Sequence, residues 1–135
     1  MRKKLSSILL VDDDDDDNYY HQIIINKMNM VDQIDIAMNG IEGIAYLKNE
    51  VHNPPDLIFL DLNMPKMNGW EFLDQYKNLD IAQRAKVLII ILSTSANPDD
   101  IKRAKEIQEV TGFNTKPLTK EYLTEILEQH FPDYL

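Results

Sequence analysis

Apolar residues along this chain fall into short runs, separated by longer stretches where they recur every three or four positions. The runs are Ile8-Leu9-Leu10-Val11, Ile34-Asp35-Ile36-Ala37-Met38, Leu57-Ile58-Phe59-Leu60, Val87-Leu88-Ile89-Ile90-Ile91-Leu92 and the weaker Phe113-Asn114-Thr115. The second alternates, as a half-exposed strand does. The first, third and fourth are apolar on both faces, as a strand covered from both sides requires. Helical spacing fills the gaps. Tyr20, Ile24 and Met28 share one face, and Ile41, Ile44 and Ala45 share another after Asn39-Gly40. Phe72, Leu73, Tyr76 and Leu79 follow Asn68-Gly69, and Ile101, Ala104, Ile107 and Gln108 follow Asn97-Pro98. Tyr122, Leu123, Ile126, Leu127 and His130 follow Thr119, an N-cap type with Glu121 in the first turn.

Strand then helix, repeated five times, predicts an α/β domain with a parallel sheet and right-handed crossovers. No linker, low-complexity tail or internal repeat interrupts it, so residues 1–135 are expected to form a single domain.

Composition narrows the chemistry. There is no cysteine, which removes disulfides, thiolate-bound zinc and thiol catalysis. The net charge of −9 argues against a nucleic-acid partner and against a polybasic membrane anchor. Much of that charge is one run of six aspartates at residues 12–17, and the remaining balance is that of an ordinary surface. The apolar run after the basic start is too short for a leader, and no stretch is long enough to span a membrane. A soluble cytoplasmic protein is the expectation.

In an open parallel sheet, ligands bind beyond the carboxyl ends of the strands. The first strand releases Asp12 and Asp13 there, the third Asp61, the fourth Ser93 and Thr94, and the fifth Lys116 followed by Pro117. Three carboxylates, two hydroxyls and an ammonium therefore converge on one rim. Crowded carboxylates repel unless a cation sits among them. Hard oxygen donors without Cys or His suit Mg²⁺ or Mn²⁺. A carboxylate can also accept a phosphoryl group covalently, with the metal and the lysine stabilising the transfer.

At these residues the chain resembles the receiver domain of bacterial two-component response regulators, from about Ile8 to Phe131. Four motifs in order carry the resemblance: Ile8-Leu9-Leu10-Val11-Asp12-Asp13; Asp56 through Asp61-Leu62-Asn63-Met64-Pro65 to Asn68-Gly69; Leu92-Ser93-Thr94-Ser95; and Lys116-Pro117. The resemblance implies a flavodoxin-like fold with strand order 2-1-3-4-5, which sets Asp12 and Asp13 beside Asp61. It implies Asp61 as phosphoacceptor. It implies Mg²⁺, or Mn²⁺, held directly by Asp13, through water by Asp12, by Asp61 and by the backbone carbonyl of Asn63. Lys116 would pair with the phosphoryl group, and with Asp61 before phosphorylation, across a Lys116–Pro117 bond that is usually cis in the family. Ser93 would bond the phosphoryl group, and Thr94 and Ser95 would line the mouth. Phe113 would be the aromatic that turns inward on activation, or a plain core residue.

The implied partners are a histidine kinase or a histidine phosphotransfer protein, docking near Asn18, Tyr19 and Gln22. An unidentified downstream protein would bind the face of helix four, strand five and helix five. With no output domain, the protein would be a signalling receiver that catalyses only its own phosphorylation and dephosphorylation.

Asp15, Asp16 and Asp17 read as a solvated helix start, where negative charge is favourable. Asp14 stays open, because a one-residue slip brings it to the rim. His21 reads as an exposed helix residue, His52 and His130 as scattered, and Trp70 as packing. Asn114 and Thr115 replace apolar residues of the family's fifth strand, and Ser93 to Lys116 is one residue longer than its common spacing, which unsettles the output face.

Three other readings compete. A calcium loop at Asp12, Asp14 and Asp16 fails because Asp17 stands where glycine is needed and Ile23 where glutamate is needed. A haloacid-dehalogenase-like phosphatase, with Asp12 as nucleophile and Asp14 as acid, leaves the Asp61 to Gly69 motif unexplained. A receiver fold serving only as a scaffold remains open.

Overall fold

The two-faced apolar runs become the middle of a sheet. The computed structural model describes residues 4–49, 51, 53–80, 88–94 and 97–134. Val87, Ser95 and His52 lie outside the described residues. The strands are β1 (Leu5–Val11), β2 (Val31–Ala37), β3 (Leu57–Leu60), β4 (Leu88–Ser93) and β5 (Val110–Thr115). The helices are α1 (Asp15–Lys27), α2 (Gly40–Lys48), α3 (Gly69–Tyr76), α4 (Pro98–Lys105) and α5 (Lys120–His130), with a 3-10 turn at Pro132–Tyr134. All pairings are parallel and the order is β2-β1-β3-β4-β5, as the resemblance implied. Among the described residues, this is a flavodoxin-like fold.

Alternate residues of the central strands feed two cores. Ile8, Leu10, Leu57, Phe59, Leu88, Ile90 and Leu92 pack with Ile25 of α1 and with Leu123, Ile126 and Leu127 of α5. Leu9, Val11, Ile58, Leu60, Ile89 and Ile91 pack with Ile44 and Leu47 of α2, Phe72, Leu73 and Tyr76 of α3, and Ala104 of α4. This double cover is why β3 and β4 carry an unbroken run of buried side chains. The edge strands β2 and β5 keep several residues exposed or half-buried.

Each helix starts where a short polar side chain takes up orphan backbone N–H groups. Asp14 caps α1 by accepting from Asp16 N and Asp17 N, and Asn39 caps α2. Asn68 and Glu71 form a reciprocal capping box on α3. Asn97 with Pro98 opens α4, and Thr119 opens α5.

Local detail departs from expectation at several points. β1, β2 and β5 each begin three residues earlier than their apolar runs, because pairing such as Leu5 with Val31 extends past the hydrophobic stretch. The buried face of α1 is Asn18, His21 and Ile25, while Tyr20 stays 44% exposed. Ile24 and Met28 only flank that face. In α2, Gly40, Gly43, Ile44 and Leu47 are buried, whereas Ile41 and Ala45 face solvent. The α4 helix ends before Ile107 and Gln108.

The stretch between Ser93 and Lys116 contains an irregularity in β5. Ile89 pairs with Val110 but Ile90 pairs with Gly112, so Thr111 is a bulge. Beyond it the register runs without slip to Ser93 opposite Thr115, and Lys116 N donates to Ser93 O at 2.7 Å. The bulge returns Lys116 to the rim.

Candidate functional site

Strand pairing alone brings the acids together. Val11 pairs with Leu60, so the next residues, Asp12 and Asp61, leave adjacent strands side by side. The backbone fixes both: Asp12 N donates to Ala37 O at 3.0 Å, and Asp61 N to Val11 O at 2.9 Å. Asp12 and Asp61 are each 5% exposed, and Asp13 stands more open beside them. Carboxylate oxygens of Asp12, Asp13 and Asp61 all lie within 4.8 Å of one another.

Lys116 enters from the end of β5 through a cis Lys116–Pro117 bond. Its side chain is 9% exposed, with Nζ 2.7 Å from Asp12 Oδ2, 2.8 Å from Asp17 Oδ2 and 3.6 Å from Asp61 Oδ1. The Lys116–Asp61 pair expected from the sequence is present as an ion pair, with Asp12 and Asp17 closer to the ammonium. The reading of Asp17 as a solvated charge is overturned: it is half-buried and ion-paired with Lys116, outside the three-carboxylate group. Asp14 is occupied as the α1 cap, and its own N–H donates to Asp12 Oδ1 at 3.0 Å. Asp15 and Asp16 are exposed, as expected.

An open cleft of ≈ 510 Å³ lies over the cluster, lined by residues 13–17, Asp61, Asn63, Thr94 and Lys116. Ser93 is buried at the end of β4, while Thr94 opens onto the cleft. Phe113 is half-buried on β5, against the core shared by α2, α3 and α4 and beside Ile101 and Ala104 of α4. Trp70, at the start of α3, lies under the Arg103 guanidinium of α4, 4.2 Å from the ring centre.

The charges are strongly coupled. Burial raises the Asp61 pKa from 3.8 to about 6, and Asp12 and Asp13 add to the rise. Lys116 and the Asn63 backbone N–H pull the other way. Burial also raises Asp12, since one ammonium divided among three carboxylates does not offset it. Burial pulls Lys116 down, but hydrogen bonds to Asp12 and Asp17 and the surrounding negative charge more than compensate, so it stays firmly protonated.

His21 overturns its expected exposure: it is 2% exposed. Its Nε2 accepts the Leu118 N–H at 3.3 Å, anchoring the residue after Pro117. Burial first, then Lys116, lower its pKa, which keeps the ring neutral and able to accept. A signal for it was present. Asn18, His21 and Ile25 are spaced i, i+3, i+7, a one-face helical spacing as valid as the i, i+4, i+8 of Tyr20, Ile24 and Met28.

The donor set fits a divalent cation. Three hard oxygen donors already cluster, two of them buried, and a dication offsets both the burial of charge and the carboxylate repulsion that together hold Asp61 up.

The profile described as the response regulator receiver domain matches residues 8–128. The chain is 36% identical over 94 residues to the sensor histidine kinase CheAY of Helicobacter pylori, covering 69% of this chain and 11% of that one. It therefore spans about a tenth of that relative. A two-component response regulator from Cytophaga hutchinsonii superposes with a TM-score of 0.83 at 32% identity, covering 94% of this chain and 97% of that one. The Mn²⁺-bound form of response regulator Rcp1, a protein of Synechocystis, gives 0.70 at 29% identity, covering 92% and 90%.

Proposed function

The chain belongs to the response regulator receiver family, a signalling module of two-component systems whose partner is a histidine kinase, and from that premise we propose that Asp61 is the residue that accepts the phosphoryl group. The observation that carries this is the placement of Asp61. It is a buried carboxylate opening onto a cleft, with Lys116 Nζ 3.6 Å away and two further carboxylates within 4.8 Å.

The donor is a phosphohistidine of the kinase or of a phosphotransfer protein. An Asp61 oxygen attacks phosphorus in line, the P–N bond breaks, and its electron pair leaves with the imidazole. Asp12, Asp13, Asp61 and the Asn63 carbonyl would hold Mg²⁺ or Mn²⁺, which supplies positive charge to the phosphoryl oxygens during transfer. The Mn²⁺ found in Rcp1 supports that choice. Lys116 contributes a fixed ammonium on the same oxygens. Thr94, at the mouth, and Ser93, behind it, donate hydroxyls to the phosphoryl group once it is on Asp61. Their movement biases Phe113 and the α4–β5 face between two arrangements, which changes affinity for a downstream protein.

The test is intact mass after incubation with Mg²⁺ and acetyl phosphate, and separately with a phosphorylated kinase. The expected result is one phosphoryl adduct on wild type, removed by hydroxylamine and absent from Asp61→Asn. An adduct that persists on Asp61→Asn moves the acceptor elsewhere. No adduct from either donor leaves a scaffold.

A further inference from the structure

Lys116 has one partner that the reaction above does not use. Its Nζ lies 2.8 Å from Asp17 Oδ2, as close as the 2.7 Å to Asp12 and well inside the 3.6 Å to Asp61. An ammonium has three N–H donors. Two are engaged at hydrogen-bond length on Asp12 and Asp17, and Asp61 lies beyond hydrogen-bond reach of the third. A phosphoryl oxygen on Asp61 would extend into that gap.

The two close partners differ in one respect. Asp12 belongs to the three-carboxylate cluster that fits a cation, so cation binding divides its charge. Asp17 stands outside the cluster, so it is not among the carboxylates that would hold the cation. Its helix is also tied to this segment a second time. One turn after Asp17 on α1, the buried His21 accepts the Leu118 N–H. One helix face therefore grips both ends of Lys116-Pro117-Leu118, which lie 99 and 97 residues away in the chain. The Lys116 side chain is 9% exposed and that of Asp17 35%, so solvent screens this pair less than a surface pair.

We infer that Asp17 is a positioning residue for phosphoryl transfer, holding the Lys116 ammonium so that its remaining N–H meets a phosphoryl oxygen on Asp61. The inference rests on the proposed role of Asp61 and adds a residue outside both the acceptor and the cation cluster. The acid run supplies its own control. Asp16 carries the same charge next door, is exposed, and is not among the Lys116 partners.

The experiment measures the initial rate of adduct formation from acetyl phosphate with saturating Mg²⁺. The proteins are wild type, Asp17→Asn, Asp17→Glu, Asp16→Asn, Lys116→Met and the Asp17→Asn/Lys116→Met double variant. Losing one charge-assisted hydrogen bond to the ammonium is expected to slow Asp17→Asn about tenfold. Asp17→Glu recovers most of the rate, and Asp16→Asn stays within about twofold of wild type, as a solvent-screened charge without contact to Lys116 should. In the Lys116→Met background, Asp17→Asn costs nothing further, which a merely structural role would not produce. If that background is too slow to time, the same cycle is read from beryllofluoride affinity by calorimetry, with the same pattern expected. Equal rates for Asp17→Asn and Asp16→Asn, or an equal loss with and without Lys116, overturn the inference. Absence of any adduct on wild type from acetyl phosphate and from a phosphorylated kinase alike overturns the reading of Asp61 itself, and this inference with it.

Discussion

A Cβ built on Gly69 would lie 2.6 Å from the Asp61 carbonyl oxygen and 2.8 Å from Leu62 Cα. Gly69 N also donates to Leu62 O at 3.0 Å, so the first turn of α3 is pressed against the backbone that presents the acceptor. Backbone cannot yield as a flexible side chain can. Gly69→Ala is therefore expected to cost about 1–3 kcal/mol, the usual range for overpacking. It should also slow phosphoryl uptake on Asp61, as read by a thermal melt and an intact-mass time course. Gly112→Ala is the contrast. The nearest obstacle there is the Tyr122 hydroxyl at 3.1 Å, at the end of a side chain that can give, so its cost should be smaller.

Asp61 should be a liability to the metal-free protein above about pH 6. Its folded pKa of about 6 exceeds the ordinary 3.8, so the fold favours the protonated acid. The stability this contributes is complete below pH 3.8 and is lost as pH rises through about 6. In chelator, Asp61→Asn should therefore melt higher than wild type at neutral pH, by on the order of 2–3 kcal/mol. The difference should shrink as the pH is lowered toward 4. Equal melting of the two proteins at neutral pH would count against the crowding described here. Added Mg²⁺ should raise the wild-type Tm more than that of Asp61→Asn, because it binds only the folded cluster.

His21 should impose the opposite slope. Its folded pKa lies below the ordinary 6.5, so stability from the neutral ring is complete above pH 6.5 and declines as pH falls through the folded value. His21→Gln keeps an acceptor near Leu118 N–H without titrating, and the difference between wild type and this variant should narrow in acid. His21→Leu leaves a buried N–H unpaired and should cost about 1–3 kcal/mol at neutral pH. Denaturant melts at a series of pH values decide both.

Arg103 over Trp70 ties α4 to α3. Arg103 is exposed, so its removal to Ala should cost only about 0.5–1 kcal/mol. Trp70 is the chain's one tryptophan, so its emission should shift to the red when the cover is lost, which a fluorescence spectrum reads directly. An unchanged spectrum would mean that the pair does not persist in solution.

The strand ends were legible because double-sided apolar runs stop sharply. Val11 gives way to Asp12 and Leu60 to Asp61, and the backbone follows those boundaries. Helix starts were legible for a local reason too: Asn39, Asn68, Asn97 and Thr119 each cap within three residues of themselves. The face of α1 was less legible. Tyr20-Ile24-Met28 and Asn18-His21-Ile25 both have helical spacing, and the reading preferred the more apolar stripe. The fold chose the other because Asn18 Nδ2 donates to Asp12 O and His21 Nε2 accepts from Leu118 N, which offset part of the cost of burying Asn18 and His21.

The sequence by itself determined the strand–helix alternation and which side chains stand at the rim, since both depend on neighbours a few residues apart. Tertiary structure decided how the rim is wired. The bulge at Thr111 set the register that brings Lys116 back to Ser93. The packing of α1 against α5 then decided that Lys116 rests on Asp12 and Asp17, with Asp61 farther away. Those contacts join residues 97 and 99 positions apart. No local periodicity encodes such distances, because partner choice among six consecutive aspartates depends on where a distant strand delivers its ammonium.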